Sequence, residues 1–236
     1  MITTRSLAVL GGLLVLGLAI FGYQVGRAVK VGREFDRYFT VRGLSEREVK
    51  ATLVIWPLKY ATTGETLPDL QASMASAKEI VSRFLRENGI QESEIAPGLP
   101  EIRDTISNRR RDDVVTLPRY QAVITWVVRS RNVDVVKSAV QKSEALIALG
   151  VPLLNEEYGN RISFHFDGVN AIKPEMIQEA TANARQAAQK FAEDSKAKVG
   201  SIRKAMQGVV DIQDRDIASP ELKVVRVITT VEFFIE

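Results

Sequence analysis

The sequence predicts an α+β fold: two β-α-β-β units joined by a helix, helices packed on largely antiparallel sheet, and one N-terminal transmembrane helix ahead of them. Three observations carry this. Residues 173 to 200 hold a helix whose inner stripe is mostly alanine, the order strand, helix, strand, strand is read twice along the body, and Ser6 to Gly26 contains no charged residue. The corresponding division is 1–38 for anchor and juxtamembrane linker and 39–236 for the body. Within the body, 39–130 is the first unit, 131–152 the connecting helix and 153–236 the second unit.

In the alanine-rich helix, Met176, Ile177, Ala180, Ala184, Ala187, Ala188, Phe191, Ser195 and Val199 recur three or four apart on one stripe. A stripe of alanines buries well only if its cover approaches the helix backbone closely, as a flat sheet can. Pro174 suits the first helical position and Gly200 the left-handed cap, with Lys196 and Lys198 placed favourably at the carboxyl end of the dipole.

The uncharged run 6–26 is dominated by Leu, Val, Ile, Phe, Ala and Gly and is long enough, at about 1.5 Å rise per residue, to cross roughly 30 Å of hydrocarbon. Its length, and the lack of a small-residue cleavage motif after it, favour an uncleaved signal anchor over a cleaved signal. Gly22 and Gly26 form a G-x-x-x-G pair, although glycine is common in membrane helices generally. Arg27, Lys30, Arg33 and Arg37 follow the run whereas only Arg5 and the amino terminus precede it, so the charge count alone places the body in the cytoplasm.

Beyond the linker, Phe39 to Tyr60 reads as a strand, in which Gly43 marks a bulge or a close backbone approach and Pro57 an edge. A helix from Pro68 to Asn88 ends at Gly89 and carries Leu70, Met74, Ala77, Val81 and Phe84 on one face. A weak strand near Ile102 to Ile106, a loop with Arg109, Arg110, Arg111, Asp112 and Asp113, and a strong strand from Tyr120 to Val128 complete the first unit. The connecting helix runs from Asn132, as N-cap, to Leu149, before Gly150 and Pro152. Arg161 to Val169 alternates as a strand, and strands from Ser201 to Ile212 and Leu222 to Ile235 follow the alanine helix. The last is apolar on both faces, which predicts a central position.

Charge separates anchor from body. The 38 leading residues hold five basic side chains and two acidic ones, which leaves 27 of the 32 basic and 27 of the 29 acidic residues for the body. A neutral body offers no basic face for phosphates, so nucleic acid is not an expected partner. A basic segment beside an apolar one points to a membrane surface. The absence of cysteine removes disulfides, thiolate nucleophiles, haem attachment and cysteine zinc sites.

Few residues suggest chemistry. His165, the only histidine, shares a strand face with Ser163 and Asp167, yet three neighbours on one pleat lack the geometry of a triad. Asp211, Asp214 and Asp216 lack the glycine and bidentate glutamate of a calcium loop and read as a charged turn. Glu156 and Glu157 read as loop residues, and Arg109 to Arg111 as a solvated hairpin tip. No phosphate-cradling glycine loop, nucleophile elbow or zinc-protease helix is present. The expectation is no enzyme: no catalytic, cofactor-binding or metal residues, and no cofactor.

Two stretches carry a family resemblance. F-T-V-R-G-L-S-E-R-E-V, from Phe39 to Val49, resembles the opening of SIMPL-domain (DUF541) proteins. The alanine-rich helix ending in K-V-G, the I-Q-D-R-D stretch and the final V-V-R-V-I-T-T-V-E-F-F strand are similar to the carboxyl half of that family's membrane-anchored bacterial branch. The resemblance implies a single-pass protein of the bacterial cytoplasmic membrane with its body on the periplasmic side, against the charge count. It also implies a tendency to self-associate, no established catalytic residues, and a link to envelope or oxidative stress tolerance. The expected function is a non-enzymatic interaction module, a homo-oligomer or the holder of an envelope partner. The alternative is a small-molecule or peptide binding protein using the cleft between the two units.

Overall fold

The computed structural model describes residues 12–14, 16–27, 37–106, 118–154 and 161–235. The first element, α1, is helical over 12–14 and 16–27, and its large apolar side chains are 45% to 69% exposed. Among the described residues no helix is long and apolar enough to cross a membrane, and positions 6–11 and 15 of the expected span lie outside them.

The rest is a mixed helix and antiparallel sheet fold, in the order β1 (Tyr38–Lys50), β2 (Leu53–Gly64), α2 (Leu67–Glu87), β3 (Ile95–Pro97), β4 (Glu101–Asp104), β5 (Tyr120–Ser130), α3 (Val133–Gln141), α4 (Glu144–Ala148), β6 (Ser163–His165), α5 (Val169–Asp194), β7 (Val199–Asp214) and β8 (Leu222–Ile235). Two compact units form, each discontinuous in sequence. One comprises Met1–Glu46, Lys173–Asp211 and Arg226–Glu236, the other Arg47–Ile172 and Ile212–Val225.

The second of these contains a sheet of order β3-β5-β2-β6, with β4 also on β5. The antiparallel register sets Trp56 against Val128, Leu58 against Trp126 and Tyr60 against Ile124, so alternate apolar residues of both strands share one face. Leu70, Ala77, Val81, Phe84 and Leu85 of α2 close that core, joined by Val133, Val136 and Ala139 of α3 and Leu146 of α4. The start of α2 is fixed by a capping box, in which Thr66 and Asp69 each accept from the other's backbone N–H.

Tyr60 lies in this core, 1% exposed and edge-on to Trp126 at 6.3 Å between ring centroids. Burial pushes its phenol up to about 12 from the ordinary 10. The unfolded chain ionises near pH 10 while the folded one does not. Stability is therefore unaffected below pH 10 and falls between pH 10 and 12, by about 2–3 kcal/mol in all. Absorbance titration of the five tyrosines should show one ionising late, absent in Tyr60→Phe. Titration of all five together near pH 10 in the folded protein would remove this assignment.

The other unit is built on a sheet of order β1-β8-β7, with α5 against one face. Met176, Ala180, Ala184, Ala188 and Ala192 are buried, and they meet a sheet face on which Val227, Val231 and Phe233 are fully buried. Gly43 allows the contact: a Cβ there would lie 1.8 Å from the carbonyl oxygen of Ala180 and 2.6 Å from the nitrogen of Ala184. Asn183 Nδ2 donates to the Leu44 carbonyl at 2.8 Å and Ser45 Oγ to Glu179 Oε2 at 2.8 Å, tying helix to strand at the two residues that follow Gly43.

Several boundaries differ from the sequence reading. The run 39–60 is two strands, because the chain leaves the ladder at Ala51 and Thr52. α5 begins at Val169, so Pro174 lies inside the helix, not at its first position. It ends at Asp194, where Lys196 takes the left-handed conformation (φ 56°) expected of Gly200, which belongs to β7. Phe191 faces outward at 58% exposed, and Ala192 takes the inner place. The connecting helix is broken at Lys142 and Ser143, whose N–H groups reach back three residues to Ala139 and Val140 and tighten the turn. Only Ser163–His165 of the run 161–169 pairs, because β6 meets just Leu53–Ile55 of β2. β8 is central, but only its odd-numbered face is buried; Arg226 and Ile228 are exposed.

Candidate functional site

The side chains that suggested chemistry are engaged elsewhere. His165 Nε2 lies 3.1 Å from Ser163 Oγ on the exposed strand β6. Asp167, the third member of that face, turns to Thr52 and Arg131: its carboxylate accepts from the Thr52 hydroxyl, its own N–H donates back to that hydroxyl at 3.0 Å, and Arg131 pairs with it at 3.1 Å. The Thr52 hydrogen bond, helped by Arg131, holds the Asp167 carboxyl below the usual carboxylate range. Among the described residues no carboxylate orients the imidazole as a base, and no acyl-transfer geometry forms among them there.

The aspartates disperse in the same way, and they do not share one charged turn: Asp211 and Asp214 belong to the last residues of β7, and only Asp216 follows it. Asp214 pairs with Lys223, and Asp216 accepts from Arg215 Nε at 2.8 Å and from the Ser219 N–H at 2.7 Å. The Arg215 contact lowers the Asp216 carboxyl below its ordinary value. Arg215 also reaches Glu48 at 3.0 Å, and buried Glu221 is held in its charged form by Lys137. Among the described residues no group of three or more His, Cys, Asp or Glu side chains could hold a metal ion. Glu156, Glu157 and Arg109 to Arg111 lie outside the described residues.

Two surface features remain. One is an open cleft of about 700 Å³ along the edge of β2, lined by Trp56, Pro57, Lys59, Arg161, Asp214 and Ile217 among others. β6 pairs only as far as Ile55, and the 152–154 segment takes over at Lys59, where the Leu154 N–H donates to the Lys59 carbonyl at 2.9 Å. Pro57 sits in the gap, where its missing N–H costs nothing.

The other is the β1-β8-β7 sheet. Its face away from α5 carries Tyr38, Leu44 and Ile228, each more than 40% exposed, between charged side chains. Arg226 pairs with Glu46 at 3.2 Å; Arg203 pairs with Glu232 at 3.5 Å and stacks over Tyr38 at 3.9 Å. At its border runs β7, a sixteen-residue edge strand whose residues are nearly all exposed, Val209 at 85%. A long, open edge of this kind offers a row of backbone donors and acceptors to a further strand. The sequence reading assigned no role to β7 beyond the aspartates at its end. The signal was there: Lys198, Arg203 and Lys204 lie towards one end, Asp211, Asp214 and Asp216 towards the other.

Similarity to known proteins bears on the fold. One similar solved structure is the crystal structure of an amidase (hydantoinase/carbamoylase family) from Burkholderia phymatum, 12% identical, with a TM-score of 0.26 over 58% of this chain and 35% of that one. That score is too low to carry any argument. No curated protein matches the sequence. The family model SIMPL, described as "Protein of unknown function (DUF541)", matches residues 39–226, a stretch that begins with the strand of Gly43 and includes α5 and β7 entire. The chain belongs to the SIMPL family.

Proposed function

We propose that the chain is a non-enzymatic interaction module of the bacterial cell envelope. A single N-terminal helix tethers it to the cytoplasmic membrane, with the body on the extracytoplasmic side, and it works by self-association or by holding an envelope partner. The observation that carries the anchor is α1. Leu13, Leu14, Leu16, Leu18, Ile20 and Phe21 are all more than half exposed, inside a run with no charge from Ser6 to Gly26. A helix apolar all round its circumference needs an apolar surrounding, and hydrocarbon supplies one. The open sheet face and edge support a role in contacts. A link to envelope stress would run through such contacts, since the chain has no cysteine for thiol chemistry.

Fractionation with protease protection tests this reading. The full chain should stay in the membrane pellet after alkaline carbonate washing, and added protease should digest the body in spheroplasts but not in intact cells. Leu18→Arg, which puts a charge in the run at a cost of about 2.5–3.5 kcal/mol, should release chain to the soluble fraction. A wild-type chain found in the soluble fraction, or a body protected in spheroplasts, would refute the arrangement. A second reading, small-molecule or peptide binding, is supported by the open cleft at Pro57, with Lys59 and Arg161 on its wall.

A further inference from the structure

The free border of β7 is self-complementary in charge, and we infer that it is where two copies of this chain join: β7 of one copy pairs antiparallel with β7 of the other about a two-fold axis through Gln207. This rests on the self-association reading and names its surface. β7 is the last strand of the order β1-β8-β7, so among the described residues one of its two sides has no strand partner. From Ser201 to Gln207 every residue is exposed, and beyond it Val209 and Asp211 are as well. Charged side chains on an edge strand, lysine above all, oppose pairing with a strand that sets like charges directly opposite them. Here the sign reverses along the strand, with Arg203 and Lys204 before the midpoint and Asp211 after it.

Symmetry narrows the register. Residues directly opposite each other in a sheet point to the same face, and successive residues point to opposite faces. Two identical antiparallel strands satisfy both conditions only if the axis passes through a residue, not between two. With the axis at Gln207, Arg203 stands opposite the second copy's Asp211, and the same pair forms again on the other side of the axis. Ala205 then faces Val209, and Met206 faces Gly208, so the small residues sit opposite the larger ones. Moving the axis to Met206 sets Arg203 against Val209; moving it to Gly208 sets Arg203 against Gln213 and Asp211 against Ala205. An axis at Val209 brings the two Arg215–Arg203 pairs together. Within β7 opposite charges pair at two such axes, Gln207 (Arg203 with Asp211) and Val209 (Lys204 with Asp214), and of these two only Gln207 does so without opposing like ones. A parallel arrangement in register would place every charge beside its own kind. Arg203 keeps its place above Tyr38 and its contact with Glu232 in the isolated copy, so it is already ordered on the face where Asp211 of the second copy would arrive.

Charge exchange tests the assignment on the full chain in detergent. Arg203→Asp and Asp211→Arg should each weaken self-association at least tenfold by sedimentation equilibrium. An equimolar mixture of the two variants should restore it, because all opposed pairs are then of unlike charge. The mixture also guards against misfolding, since an unfolded variant could not be rescued by another. The chain has no cysteine, so Gln207→Cys should cross-link to itself under mild oxidation and Ser201→Cys should not. If wild type associates but the variants associate equally well and Gln207→Cys does not cross-link, the edge is not the interface, while self-association stands. A wild-type chain monomeric at all concentrations would overturn both.

Discussion

Gly43→Ala should lower the stability of the protein by about 3 kcal/mol, near the upper end of what overpacking usually costs. The added methyl would stand 1.8 Å from the Ala180 carbonyl oxygen and 2.6 Å from the Ala184 nitrogen, both backbone atoms that no rotamer change can move aside. Either α5 lifts off the sheet or β1 bends away from it. Both separate the alanine stripe from Val231 and Phe233 and stretch the Asn183 and Ser45 hydrogen bonds beside the contact. Leu44→Ala, one residue along with its side chain well exposed, should change stability by less than about 0.5 kcal/mol. Urea titrations of the three proteins followed by circular dichroism provide the measurement. Equal midpoints for wild type and Gly43→Ala would mean that helix and strand do not approach as described.

Trp126→Ala should cost more, about 4 kcal/mol, within the range for emptying the place of a large buried aromatic. Trp126 is 5% exposed in β5, opposite Leu58 of β2 and edge-on to Tyr60, so its loss removes packing from both. Trp126→Phe keeps a ring against Tyr60 and should recover a large part of the loss. The only other tryptophan, Trp56, is also buried and reports the unfolding of every variant by its fluorescence. A cost below about 1 kcal/mol for Trp126→Ala would show that the ring is not part of the packed core.

What the sequence revealed and what it concealed divide along physical lines. Periodicity and capping are local, so α2 with Pro68 in its first turn and Gly89 at its end, and the run of β8, were legible in the sequence, whereas the Thr66 cap was not read there. Gly43, as a bulge or a close approach, and the alanine stripe each suggested a near neighbour in the sequence, but that they meet one another is set by the fold. Pro174 misled: a proline fits the first turn best, but the five residues before it are helical all the same, at the cost of the backbone bond that its missing N–H would make, and Gly200 drew the far end outwards in the same way. The alternation of Arg161 to Val169 reported sidedness, yet strand length is set by how much of β2 is open to pair, a non-local matter. For the same reason nothing in the sequence foretold that β6 joins β2 while β1 joins β8. His165 and its neighbours could be discounted on sequence, but not that Asp167 would turn to Thr52, which is more than a hundred residues away along the chain.

The position of β8 between β1 and β7 also has a consequence for synthesis. β1 ends at Lys50 and its neighbour begins only at Leu222, and their ladder reaches to the Ile235 N–H on the Arg37 carbonyl. At about 5–20 residues per second, a growing chain carries β1 for roughly ten to thirty seconds before the strand that satisfies it exists. Sequence separation of that order makes this sheet slow to assemble and leaves α5 with only β1 to lie on until β8 has been made. A premature stop at or just after Glu221 would therefore not trim an appendage: it would leave β1 and β7 each without the partner between them.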